Sequence, residues 1–278
     1  MTDNALGAFL RARREATRPT DVGLPAGRRR RTPGLRREEL ASLAGISVEY
    51  LTRLERGRDR HPSAQVIGAL ADALGLSPEE RVHVHRMVKV ASGEVCAQAR
   101  PPSRAVRPTV LALLDRLEPT PALVLAPHGD VLASTAGFRR LAAPSGLFDA
   151  DAPNLVRFVF ADPRARAAFP AWERVADERA AALRAAADLG DRTAAALADE
   201  LSITVGTGFS RRYASGGSVP PWTGVEEWSH PAVGRLRLAF EGLLLPGPEE
   251  RRLVTYLPGD AETAEALDRL GEPAEAPA

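Results

Sequence analysis

The sequence predicts two domains, an all-α N-terminal domain built around a helix-turn-helix and an α+β C-terminal domain with an antiparallel sheet. Three observations carry that expectation. The chain has 278 residues and 44% apolar content, enough for two ordinary cores. Apolar spacing is helical through the first third, whereas strand-like segments with turn signals between them stand near positions 122–134 and 224–257. Charge divides the same way: positions 1–100 hold 18 basic and 12 acidic residues, positions 101–278 hold 19 and 24. The expected boundaries are 1–95 for the first domain, 96–108 for a linker and 109–272 for the second.

Leu6, Phe9 and Leu10 recur at helical spacing and open a first short helix, closed by Pro19. Positions 20–34 carry Pro25, Gly27, Pro33 and Gly34 and read as a loop, with Arg28, Arg29, Arg30 and Arg31 in succession. Leu40, Leu43 and Ala44 then mark a helix that Gly45 ends by supplying a left-handed turn. Ser47 caps the next segment, VEYLTRLERG, whose Leu51 and Leu54 face the same core as Ile46. Ser63 caps a fourth helix with Val66, Ile67, Leu70, Ala71 and Leu74 inward. Ser77, Pro78, Glu79 and Glu80 form a capping box that opens a fifth, which buries Val84, Met87 and Val88.

The two helices joined by Gly45, Ile46 and Ser47 have the spacing of a groove reader. A major groove admits one helix, and the leading turn of that helix meets the base edges while a partner helix crosses the backbone. Ser47, Val48, Glu49 and Tyr50 occupy that turn, with Arg53 one turn later beside Glu49. Glu49 can accept from a cytosine amino group and Val48 can touch a thymine methyl. Arg53 can fork onto guanine or hold a phosphate, and Tyr50 either reads a base or packs against the bundle or a phosphate. Arg36 and Arg37 precede the pair while Arg56, Arg58 and Arg60 follow it, so both flanks can neutralise phosphates. The run Arg28 to Arg31 offers an arm for a phosphate or an adjacent minor groove. Glu55 is expected to be structural, pairing with an arginine such as Arg37.

REELASLAGISVEYLTRLERGR resembles the xenobiotic-response-element family of helix-turn-helix repressors, in which L-A-x-x-A-G-[VI]-S and the later L-E-x-G mark the two helices. The longer stretch from DVGLPAGRRRRTPG to LGLSPEER resembles the MmyB-like branch of actinobacterial regulators almost without gaps. The resemblance implies a lambda-repressor-like fold, base contacts from Ser47, Val48, Glu49 and Arg53, and phosphate contacts from Arg37 and Arg58.

Beyond the proline-rich stretch 97–108, Val106, Val110, Leu113, Leu114 and Leu117 suggest a helix, and 122–126 with 130–134 a hairpin about Pro127, His128 and Gly129. Helices are expected at 137–142, 162–169, 172–189 and 193–201, then strands at 224–229, 235–245 and 251–257. Two strands, a helical layer and three strands is the order of a PAS-like sheet. TPALVLAPHGDVLAS, NLVRFVFADPRARAAFPAWERVADE and HPAVGRLRLAFEGLLLPGPEERRLVTY resemble the MmyB-like ligand-binding domain, which implies a small lipophilic, fatty-acid-like effector. Ser134 and Thr135 replace the Trp-Asn common in that family. Aromatic residues are only 5% of the chain yet concentrate in this half, and Phe138, Trp172, Tyr213, Phe240 and Tyr256 are candidates for lining an apolar pocket. The competing reading makes each of them core filling and the domain a dimerisation or protein-interaction module without effector.

Catalytic constellations are not evident. His61, His83, His85, His128 and His230 are scattered, Cys96 is single, and neither a phosphate loop nor a nucleophile elbow follows a strand. The expectation is therefore a non-enzyme without metal or cofactor. Its partners would be double-stranded operator DNA and a small effector, and one short reading helix calls for a homodimer. No run approaches about 18 uncharged apolar residues, and the first 14 lack the order of an export signal, which points to a cytoplasmic protein without a membrane partner.

Overall fold

The computed structural model describes residues 5–25, 33–59, 61–91, 103–215, 219–247 and 250–271. They form two compact units. The first gathers the residues up to Ala99 with the short segments Ala187–Asp191 and Ser215–Val219; the second holds the remainder.

In the first unit, helices α1 (Ala5–Ala16), α2 (Arg37–Leu43), α3 (Val48–Glu55), α4 (Ala64–Ala73) and α5 (Pro78–Ala91) follow in order, with a 3-10 turn at Pro19–Val22. Their starts are set by side chains that satisfy otherwise unpaired backbone N–H groups. Ser47 Oγ accepts from Tyr50 N at 3.1 Å, and Ser63 Oγ accepts from Val66 N at 3.3 Å. The capping box at α5 closes in both directions: Glu80 N donates to Ser77 Oγ at 3.3 Å and Ser77 N to Glu80 Oε2 at 2.8 Å. Gly45, at φ 65°, makes the turn between α2 and α3. Leu10, Leu40, Leu51, Leu54 and Leu70 are sealed in one core with Phe9, Val84 and Met87.

The second unit contains α6 (Pro108–Leu117), β1 (Ala122–Leu125), β2 (Val131–Ser134), α7 (Ala136–Ala142), α8 (Leu155–Ala161), α9 (Ala165–Ala168), α10 (Trp172–Asp188), α11 (Arg192–Thr204), α12 (Thr207–Ala214), β3 (Thr223–His230), β4 (Gly234–Leu244), β5 (Arg252–Pro258) and α13 (Ala261–Gly271). The five strands make one antiparallel sheet in the order β2-β1-β5-β4-β3, so the hairpin and the later three-stranded set join at β1 and β5. In β3 and β4 the enclosed residues alternate, Glu226, Trp228 and His230 opposite Leu238 and Leu236. The other face at β1 and β5 is covered by α6 through Val110 and Leu114 against Ala122, Val124 and Leu253.

Several expectations shift. The helix expected at 162–169 shrinks to α9, while α8 forms just before it. Asn154 caps α8 by accepting from Arg157 N at 2.9 Å, and Asp162, held extended at φ −94° and ψ 121° ahead of Pro163, ends it. Leu113, one of the apolar residues that suggest α6, is 44% exposed, because Val110 and Leu114 take the buried stripe. Helices α12 and α13 were not anticipated. The first is anchored by the buried Phe209, and the second starts where Asp260 Oδ1 accepts from Thr263 N at 2.8 Å.

Gly34 passes so close to α1 that a Cβ there would collide with the Glu15 carbonyl. Gly34→Ala is expected to lower the stability of the first unit by about 1–3 kcal/mol through overpacking. Thermal melting checks this, and an unchanged midpoint would show that α1 yields freely.

Candidate nucleic-acid interface and aromatic interior

The leading turn of α3 turns Ser47 and Glu49 outward while its Val48 packs in part against the core that holds the rear face. Ser47, Glu49 and Arg53 are exposed while Val48 and Tyr50 are half-buried, and Leu51, Leu54 and Glu55 face inward. Thr52 anchors the same turn by donating its hydroxyl to Val48 O at 2.8 Å. Arg53 lies over the Tyr50 ring, its guanidinium carbon 5.4 Å from the ring centroid. Burial, aided by the charge of Asp59, raises the Tyr50 phenol above its ordinary pKa, so it stays a neutral hydrogen-bonding group.

What fixes this helix is a carboxylate inside the bundle. Glu55 has a side chain only 1% exposed, and it accepts from Arg14 Nε at 2.6 Å, Arg14 Nη2 at 3.2 Å and Arg37 Nε at 2.8 Å. Arg14 also donates to the Leu35 carbonyl at 2.9 Å, so the last turn of α1 binds both the approach to α2 and the end of α3. The expected pairing of Glu55 with Arg37 is present. Arg14, the more enclosed partner, was missed, although it sits one turn beyond Leu10 on the inward stripe of α1.

Arg37 retains an exposed outer side, and Arg36, Arg56 and Arg58 are exposed around the same end of the bundle. Arg36 also begins α2, its N–H donating to Glu39 Oε2 at 2.7 Å. Arg29, Arg30, Arg31 and Arg60, named with Arg28 as phosphate or minor-groove contacts, lie outside the described residues. The arrangement presents one short helix, polar at its exposed N-terminal turn and flanked by guanidinium groups, which is the form a base-reading element takes.

In the second unit the five candidate aromatics fall into two groups. Phe138 stacks on Tyr256 with ring centroids 5.9 Å apart, and Phe240 meets Tyr256 at 6.3 Å. Trp172 and Tyr213 belong elsewhere. Trp172 packs at 6.3 Å from Phe160, donates Nε1 to Val159 O at 3.0 Å and holds Arg166 at 3.7 Å from its ring centroid; Tyr213 stacks on Phe209 at 5.4 Å. Trp228 and Phe169, which sequence reasoning did not single out for a pocket, extend the first group at 4.7 Å from each other, and Phe148 and Phe158 adjoin it at Phe138 and Phe169. The alternating pattern of β3 could have indicated Trp228.

At the end of that group lies a second enclosed carboxylate. Glu226, on β3 and 1% exposed, accepts from Arg179 Nη2 at 2.7 Å, Trp228 Nε1 at 2.7 Å and Tyr256 Oη at 3.4 Å. Burial, reinforced by the Glu226 charge, drives the Tyr256 phenol far above its usual range, so it acts only as a neutral donor or acceptor. Among the described residues no cluster of His, Cys, Asp and Glu could hold a metal ion, and no helix is long and apolar enough to cross a membrane.

Comparison with known proteins agrees with the division of the chain. Residues 106–270 match the family described as "MmyB-like transcription regulator ligand binding domain", and residues 5–84 match a "Helix-turn-helix domain". Over 61 residues the chain is 46% identical to an uncharacterized HTH-type transcriptional regulator, y4dJ, of Sinorhizobium fredii (strain NBRC 101917 / NGR234), covering 22% of this chain and 78% of that protein.

Removing the Glu55 carboxylate would leave Arg14 charged and enclosed. Glu55→Ala is expected to destabilise the first unit by about 3–5 kcal/mol, and Arg14→Met combined with Glu55→Leu to regain much of that loss. Denaturant unfolding of the single and double variants reads both effects; equal losses would mean that the ion pair itself is stabilising.

Proposed function

Because the chain belongs to the MmyB-like transcription regulators, we propose that its first domain reads operator DNA through α3 and that its second senses a small lipophilic, fatty-acid-like molecule. The proposed division is 1–95 for the operator-binding domain, 96–108 for the linker and 109–272 for the sensor. Ser47, Val48, Glu49, Tyr50 and Arg53 meet base edges. Arg36, Arg37, Arg56 and Arg58, with Arg29, Arg30, Arg31 and Arg60, meet phosphates or a neighbouring minor groove. The observation that carries this reading is the pairing of an exposed N-terminal turn on α3 with an enclosed clamp on its far end, Glu55 held by Arg14 and Arg37. A helix fixed at its rear and free at its tip can enter a groove without reordering.

The sensing role rests on the aromatic group that Trp228, Tyr256 and Phe240 of the sheet form with Phe138 of α7. An effector that binds one conformer of this unit better than another shifts operator occupancy by that difference in affinity. A homodimer follows from the reach of the reader, since one short helix covers only a few base pairs. The protein acts in the cytoplasm at the nucleoid and performs no catalysis.

Binding to DNA from upstream of its own gene, followed by fluorescence anisotropy across a salt series, tests the reader. Glu49→Ala with Arg53→Ala is expected to weaken specific binding by more than roughly tenfold while non-specific binding persists. Arg37→Ala should weaken all sequences alike and reduce the salt slope by about one. Affinity indifferent to salt and to Glu49 and Arg53 would remove the groove-reading role. Native mass spectrometry of the purified protein tests sensing: a co-purified lipid-sized mass supports it, and a clean apo-protein that accepts no lipophilic probe favours a dimerisation module.

A further inference from the structure

On its outer face the sheet of the second unit is apolar beyond the part that α6 covers. From Leu253, which lies under α6, that face continues to Leu243 of β4 and along the cross-strand row Leu257, Ala239 and Val225. Leu257 is 51% and Leu243 49% exposed, while Ala239 and Val225 are half-buried. A sheet face left to water in an antiparallel sheet is ordinarily polar. Here the charged residues beside the row are Arg237 and Glu241, two positions to either side of Ala239 on β4 and both exposed.

The helix next to this strip has the same character on its outer side. Val110 and Leu114 of α6 are spent on the sheet, yet Leu111 and Leu113 remain 41% and 44% exposed, with Ala112 exposed between them. A helix that is apolar on its outward side as well as its inward one is a helix that becomes enclosed. Exposed Asp115 and Arg116 follow these residues. The segments of this sequence outside the described residues hold Met1 and Val95 as their only large apolar side chains, so they offer too little to cover either surface.

We propose that the second domain pairs with a second copy of itself by exchanging these surfaces: α6 of each copy lies on the Val225, Ala239, Leu257 and Leu243 strip of the other. Covered and bare halves stand side by side on one face, so a two-fold axis parallel to the strands sets each helix over the other copy's bare half, and the contact repeats itself as an isologous interface requires. Charges complement in the same way. Asp115 and Arg116 beside the helical leucines, and Arg237 and Glu241 beside the strip, put one charge of each sign on either surface. The inference rests on the homodimer read from the reach of α3 and gives that homodimer its surface.

Sedimentation of the full-length protein and of two variants, Leu111→Lys with Leu113→Lys on the helix and Leu243→Glu with Leu257→Glu on the strip, tests the exchange. Each variant is expected to weaken self-association by about 30-fold or more. An equimolar mixture should recover a heterodimer, seen by its mass in native mass spectrometry, because one of its two contacts is unaltered and the other sets lysine against glutamate. All four positions are exposed, so melting midpoints should hold; if either variant melts early, Leu→Ser at the same positions repeats the comparison. A helix variant that still dimerises, a strip variant that still dimerises, or two monomeric variants that fail to recover on mixing would each overturn the exchange and leave the homodimer standing. Wild-type protein that is monomeric alone and on operator DNA would overturn the homodimer as well.

Discussion

A carboxylate removed from water must be met by donors of matching charge, and both units of this chain are organised by that requirement. Glu55 and Glu226 are each almost wholly enclosed, and each is held by arginine from a different element. Neither pair is needed to bury apolar area. What they supply is direction, because a guanidinium and a carboxylate satisfy one another only in a narrow set of relative positions. In the first unit the direction is that of α3 against α1 and α2. In the second it is that of α10 over the inner face of β3 and β5.

The difference in surroundings gives the two carboxylates different consequences. Glu55 lies at the end of α3 remote from its exposed turn, and Arg37 spans from it to the surface, so one residue ties the interior to the proposed phosphate contact. Glu226 stands among rings, with Trp228 and Tyr256 donating to it, and the cluster forms the polar end of an otherwise apolar layer. A layer of that kind combines bulk apolar contact with a few oriented polar groups, the usual composition of a small-molecule site.

Much of the first unit was legible from local chemistry. Ser47, Ser63 and the Ser77 to Glu80 box begin helices where they were expected to, because a cap acts within one turn and needs nothing distant. The hairpin and the three later strands were legible from alternation and turn residues. Of the short helices around 155–168 only α9 was anticipated, at greater length; α8 was not, since the run from Leu155 to Phe160 is rich in aromatic and β-branched residues, and Pro163 divides the segment at a place that periodicity alone does not weight. Thr207–Ala214 was not expected as a helix either, and the buried Phe209 that holds it in place is a tertiary fact.

The sequence by itself determined the helix-turn-helix, the exposed residues of its leading turn, the sheet strands and the family, because each is written in neighbours a few positions apart or in a long ungapped resemblance. Only the tertiary structure decided that Arg14 as well as Arg37 meets Glu55, that Phe138, Phe240 and Tyr256 share one group while Trp172 and Tyr213 join another, and that Arg179 reaches Glu226. Those partners are 41, 118 and 47 positions apart for Arg14 with Glu55, Phe138 with Tyr256, and Arg179 with Glu226. A side chain's period shows which face it occupies, but not which of several distant faces will be brought against it.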